Sequence, residues 1–167
     1  MANCNVQFMR VDTRMVHGQI VTKWATVNKC KYVIIIDKAL AADPFMSNFY
    51  KKAAQKGIKI DVSDPVKATK QWNEGKFGPS ERNVMIGFKD ATNAYNLWKE
   101  GFPVKEVDLG NQVASHGKKQ ISREVFLSED EFLKLKEMSE GGVRVYLQVI
   151  PEDTPIEFDG IAKIFNS

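Results

Sequence analysis

The chain has little of the chemistry that metal sites, disulfide scaffolds and membrane proteins rely on. Its 167 residues include two histidines, His17 and His116, and two cysteines, Cys4 and Cys30. The cysteines form no C-x-x-C pair and have no metal-ligand spacing with the histidines, which argues against a disulfide framework and against a zinc site. Long hydrophobic runs are missing: "YVIIID" (32–37) is the longest, far short of the roughly 20 residues a membrane span needs. The opening "MANCNVQFMRV" lacks the charged, apolar and small-residue zones of a signal peptide. Neither sign of charge dominates, with 24 basic residues against 21 acidic ones and a net charge of +3. Those basic residues are scattered rather than striped, which speaks against nucleic acid. The expectation is a soluble cytoplasmic protein that would meet a membrane only through a partner.

What is present is strand-helix alternation. "VQFMRV" (6–11), "YVIIID" (32–37), "IKIDV" (58–62), "NVMIGF" (83–88), "KEVDLG" (105–110) and "VRVYLQVI" (143–150) read as strands. Helices are predicted over 18–28, 44–56, 65–74, 90–100 and 128–140. Asp43-Pro44 and Asp64-Pro65 each set an acid before a proline at a helix start. Ser128 with Glu131 forms a capping box, and Gly57, Gly75, Gly101 and Gly141 close helices. Such alternation predicts an α/β fold: an open, mostly parallel, doubly wound sheet with helices on both faces, as a single domain over 1–167.

In such sheets ligands bind beyond the carboxyl ends of the strands, where strand order reverses. The loop after the first strand lies within "RVDTRMVHGQIVTKW" (10–24), which places His17 at that edge just before a helix. A helix start favours an anion through its free N–H groups and dipole, worth about 0.3–1 kcal/mol at an exposed site. Arg10 and Arg14 add guanidinium groups that take phosphoryl oxygens in a bidentate fork. Asp12 is placed to accept from Arg14 or from an imidazole N–H, and Gly18-Gln19 opens the helix. A neutral imidazole among anion-binding groups is what a phosphoryl acceptor needs. A lone histidine at a helix start is also a common surface residue, and the arginines read equally as surface charges.

The same stretch resembles the "R-I-D-x-R-L-I-H-G-Q-V" signature of enzyme IIB of the mannose/fructose/sorbose family of the bacterial phosphoenolpyruvate-dependent sugar phosphotransferase system. "IIIDKALAADPF" (34–45), "VKEVDLGNQVASHGKKQISREVFLSEDE" (104–131) and "GVRVYLQVIPEDTP" (142–155) resemble later segments of that family, so the likeness runs nearly end to end. The resemblance implies that His17 is phosphorylated by a IIA protein or domain and passes the group to a sugar, a hexose or an amino sugar, entering through membrane subunits IIC and IID. It implies a cytoplasmic phosphotransferase peripherally associated with those subunits, with phosphohistidine as its covalent intermediate and with no cofactor or metal. Arg10, Asp12 and Arg14 would belong to the active-site loop, with Gly18 and Gln19 behind them. Asp37, Gly110, Asn111 and Lys118 are the candidates from later matching segments. "GN" and "GFPV" lean toward the N-acetylgalactosamine-type branch. Thr13, Met15 and Gln112-Val113 depart from the family pattern, and His116 matches no family histidine, so it reads as a solvated loop residue.

The chain reads as a free-standing IIB, and a homo-oligomer is left open. The rival reading is a non-catalytic α/β module that reversibly binds a nucleotide or sugar phosphate at the same edge. A hydrolase with His17 as nucleophile lacks a second base at convincing spacing. Trp24, Trp72 and Trp98 are expected to pack, as are Phe45, Phe49 and Tyr50 on one helix. Lys118 and Lys119 either face the anionic site or stand solvated.

Overall fold

A computed structural model describes residues 2–15 and 17–167. Val16, inside the histidine motif, lies outside the described residues. Nine strands and seven helices follow one another among them. The main sheet is built from β1 (Asn5–Asp12), β2 (Tyr32–Ile36), β3 (Lys59–Ser63), β4 (Asn83–Phe88), β5 (Glu106–Asn111), β8 (Arg144–Leu147) and β9 (Ile156–Glu157). Their order is β3-β2-β4-β1-β5-β8-β9, parallel except for the last hairpin. A separate small ribbon joins β6 (Lys119–Gln120) to β7 (Phe126–Leu127). The chain leaves β1 toward β2 and leaves β5 toward β8, so strand order reverses between β1 and β5. That neighbourhood is where an open parallel sheet forms its crevice.

Two layers of helix cover the sheet. On one face lie α1 (Gly18–Val27), α2 (Lys38–Ala41) and α3 (Pro44–Lys52), with Val21, Trp24, Leu40 and Tyr50 packed on Phe8, Val33, Ile35 and Met85. On the other lie α4 (Pro65–Asn73), α5 (Ala91–Lys99), α6 (Glu129–Glu140) and α7 (Phe158–Phe165). They bury Met9, Val11, Ile34, Ile86, Val107 and Leu109. The alternation of β1 thus sends Met9 and Val11 to one layer and Phe8, Arg10 and Asp12 to the other. A polar pair on a covered face is unusual, and it becomes the centre of the site.

The helix signals act as read. Asp43 and Asp64 accept from the backbone N–H groups of Met46 and Lys67, and Ser128 and Glu131 close their reciprocal box. Gly57, Gly75 and Gly101 hold positive φ after their segments, whereas Gly142 (φ +97°), not Gly141, takes the left-handed position after α6. Two expectations need correcting. Phe45 and Phe49 do not enter the core; they are 78% and 53% exposed, and from that group Tyr50 alone is buried. The α3 helix stops at Lys52, four residues short of the predicted end. Met46 and Tyr50 form the face of this helix that packs on the core, and Phe45 and Phe49 stand about 100° round from it. Short elements without long periodicity (α2, β6, β7, β9 and α7) carried no signal that the sequence reading used.

Candidate active site

The site begins inside the protein. Arg10 is completely buried, and its guanidinium makes four hydrogen bonds. Nε reaches Asp12 Oδ2 at 3.3 Å, Nη1 reaches Asp108 Oδ2 at 2.5 Å and the Gln148 carbonyl at 2.8 Å, and Nη2 reaches the Val149 carbonyl at 2.9 Å. Nη2 also lies 3.2 Å from Asp12 Oδ2. The Trp24 ring covers the guanidinium face at 4.0 Å. A buried arginine is tolerable only when its charge is compensated and hydrogen-bonded, and here two carboxylates and two carbonyls surround it. Gly110 makes the arrangement sterically feasible, because a Cβ there would overlap the Arg10 guanidinium. The sequence offers Arg10 as a phosphate-binding or an orienting residue. Buried throughout, it fastens β1 to β5 and to the segment after β8, which is the place of an orienting group rather than of an exposed ligand contact.

Asp12 passes the order outward. Buried at the end of β1, it accepts the Arg14 backbone N–H at 2.8 Å and the Arg14 guanidinium through Nε and Nη2, each at 3.1 Å. Arg14 is therefore clamped by a bidentate carboxylate while a third of its side chain stays in solvent. Its carbonyl accepts the His17 N–H at 2.8 Å, closing a tight turn. His17 is exposed and is the N-cap residue of α1, with extended backbone and no side-chain capping bond. Its carbonyl receives the N–H groups of Ile20 and Val21. The imidazole thus stands at a helix start without being used up by it. Arg14, His17, Gln19 and Ile20 line one shallow depression of about 310 Å³. Gly18 opens α1 directly behind the histidine.

The second loop is stitched to the first through its backbone. Thr13 donates its N–H to the Asn111 carbonyl at 3.0 Å, and its hydroxyl accepts the Val113 N–H at 3.3 Å. The remaining candidates go elsewhere. Asp37 caps α2 through Leu40 N–H at 2.8 Å and accepts from Asn93 at 3.1 Å. Lys118 pairs with Glu131 at 3.0 Å, and Lys119 donates to the Phe165 carbonyl at 2.9 Å, so neither lysine faces the histidine depression. Glu131 also accepts from Gln112, whose amide oxygen takes the Ala91 N–H at 3.0 Å. Burial pushes the Glu131 carboxyl up, but Lys118, the Ser128 N–H and Gln112 outweigh it and hold it below the usual range. His116 is exposed on this loop. Among the described residues, no group of three His, Cys, Asp or Glu is placed to hold a metal ion.

Sequence reasoning missed Asp108 and the role of Trp24. The available signal was the alternation itself. Asp108 stands between Val107 and Leu109, and Arg10 shares its face with Phe8, so both charges had to be interior.

Comparison with known proteins gives this arrangement a family. The model of the PTS system sorbose subfamily IIB component matches residues 6–166. The sorbose-specific EIIB component of Lacticaseibacillus casei is 30% identical over 159 residues, covering 95% of this chain and 94% of its own. The mannose-specific EIIAB component of Escherichia coli is 26% identical over 156 residues; the match covers 93% of this chain and 48% of that longer protein. The crystal structure of manxB from Thermoanaerobacter tengcongensis superposes with a TM-score of 0.87 at 32% identity, covering all of both chains. The chain belongs to the sorbose subfamily of PTS IIB components, the sugar phosphotransferase subunits of that system.

Proposed function

We propose that His17 is the phosphoryl carrier of this IIB component. A phosphorylated IIA protein presents its phosphohistidine at the depression of Arg14, His17, Gln19 and Ile20. The neutral His17 imidazole attacks phosphorus, the donor's P–N bond breaks, and a new P–N bond forms on His17. In the second half-reaction a sugar hydroxyl attacks the same phosphorus. The P–N bond to His17 breaks, the hydroxyl proton goes to solvent, and the imidazole returns to its neutral state. That half-reaction takes place with the membrane subunits IIC and IID, on which the protein docks from the cytoplasm.

The observation that carries this reading is the pairing of an exposed imidazole that makes no capping bond with an arginine pre-set by a buried carboxylate at the start of α1. Phosphoryl transfer asks a protein mainly for positioning and charge stabilisation. Arg14 and the α1 start supply positive charge where the transferring oxygens develop negative charge. No cofactor enters the scheme.

The test is intact mass after incubation with phosphoenolpyruvate, enzyme I, HPr and a matching IIA. One acid-labile phosphoryl group that disappears in His17→Ala is expected. A reversible phosphate complex with no covalent adduct would instead identify a non-catalytic phosphate-binding module.

A further inference from the structure

Arg14 does not hold its own position. It depends on Asp12, and Asp12 is shared with Arg10 at 3.2–3.3 Å. Two arginines therefore compete for one carboxylate, and what Arg10 takes is withdrawn from Arg14. The second carboxylate in the interior decides the division. Asp108 on β5 gives Oδ2 to Arg10 Nη1 at 2.5 Å and Oδ1 to the Gln148 N–H at 2.8 Å, with no exposed surface. With both acids ionised the quartet Arg10, Asp12, Arg14 and Asp108 is neutral.

We propose that Asp108 is a positioning residue for phosphoryl transfer, which neutralises Arg10 from β5 and so leaves Asp12 to clamp Arg14 beside His17. This rests on the phosphocarrier reading given above. Without the Asp108 charge, Arg10 turns wholly to Asp12, and its uncompensated charge repels Arg14 out of the clamp. The two arginines are close enough for this, since both touch the same carboxylate, and the low-dielectric interior strengthens the effect.

The neighbours of Asp108 make its charge conditional. From β1 it faces Arg10 and Asp12; from β8 and the segment after it, Tyr146 and the Gln148 N–H. Glu106 and Arg144 lie beyond Tyr146. Burial pushes Asp108 up to about 6, against the pull of Arg10 and of the Gln148 N–H. The clamp on Arg14 therefore tightens as pH rises through that value.

The experiment measures phosphoryl uptake by the full chain from one phosphorylated IIA donor between pH 5 and 8. It compares wild type with Asp108→Asn, so that the donor's own pH dependence cancels in the ratio. Asp108→Asn is expected to be about tenfold slower at pH 7.5 and to converge on wild type toward pH 5, where the wild-type acid is mostly protonated. In an Arg14→Lys background, which cannot form the bidentate clamp, Asp108→Asn should have no further effect. A rate ratio that does not change with pH, or an undiminished effect in the Arg14→Lys background, would overturn the proposal. Should Asp108→Asn lose its melting transition, wild type is compared with Arg14→Lys over the same range. Their rate ratio must then shrink as pH falls through about 6, and a constant ratio contradicts the proposal. No uptake by wild type from a donor active on another IIB would overturn the carrier reading itself, and this inference with it.

Discussion

Arg10 and Arg14 stand four residues apart and touch the same carboxylate, yet they live in different solvents. Arg10 has no exposed surface, four hydrogen bonds to two carboxylates and two carbonyls, and an aromatic ring over its face. Arg14 is one-third exposed and opens on the depression of His17. The inner arginine is architecture, because a buried charge has to be fully paired to exist at all. The outer one is available, because a single bidentate clamp fixes its direction without using up its charge. Residue type is the same for both; their places on the strand and on the turn after it, and the burial that follows, assign the roles.

Substitutions that treat the two regions alike would break this contrast. The largest effect is expected at the open end: His17→Ala abolishes phosphoryl uptake by intact mass while leaving the urea midpoint within about 0.5 kcal/mol of wild type. Gly110→Ala acts at the closed end, where a methyl group collides with the Arg10 guanidinium. It should cost about 3 kcal/mol or more in urea denaturation, since neither backbone nor a buried, hydrogen-bonded guanidinium can yield. Arg10→Lys is expected to cost about 3–5 kcal/mol, because an ammonium cannot satisfy two carboxylates and two carbonyls in that geometry. Arg14→Lys should cost less than about 1 kcal/mol, yet slow phosphoryl uptake about tenfold or more. Equal stability losses in the two lysine variants would refute the division.

The smallest effect belongs to the second loop. Lys118→Met removes the partner that helps hold Glu131 below its usual range. A depressed carboxyl contributes stability that is whole above its unfolded value near 4.5 and is lost as pH falls through the folded value. Acid unfolding of Lys118→Met should therefore begin at higher pH, with a loss of about 1 kcal/mol at pH 7 and no change in phosphoryl uptake.

Much of this was written openly in the chain. Helix starts at Pro44, Pro65 and Glu129 follow from Asp43, Asp64 and Ser128, whose short side chains reach the free N–H groups in one step. The position of His17 follows from its place between an apolar strand and an amphipathic helix. The tertiary partners were not legible. Arg10 contacts Asp108 and Gln148 across 98 and 138 residues; strand alternation points it inward, but nothing local names the partners that seal it. Lys118 is a candidate through its match to the family's late segment, but its partner Glu131 belongs to a helix cap, which no spacing rule relates to it. Phe45 and Phe49 have core spacing, but the face that meets the sheet is that of Met46 and Tyr50.

The most direct test follows the arginine and histidine side-chain nitrogens by NMR while a phosphorylated IIA donor loads the protein. The account predicts that the His17 ring and Arg14 Nε signals move together as the phosphoryl group arrives, with Arg10 Nε protected from solvent exchange before and after. Movement at Arg10 with Arg14 unchanged, or loading of His116 in place of His17, would contradict it.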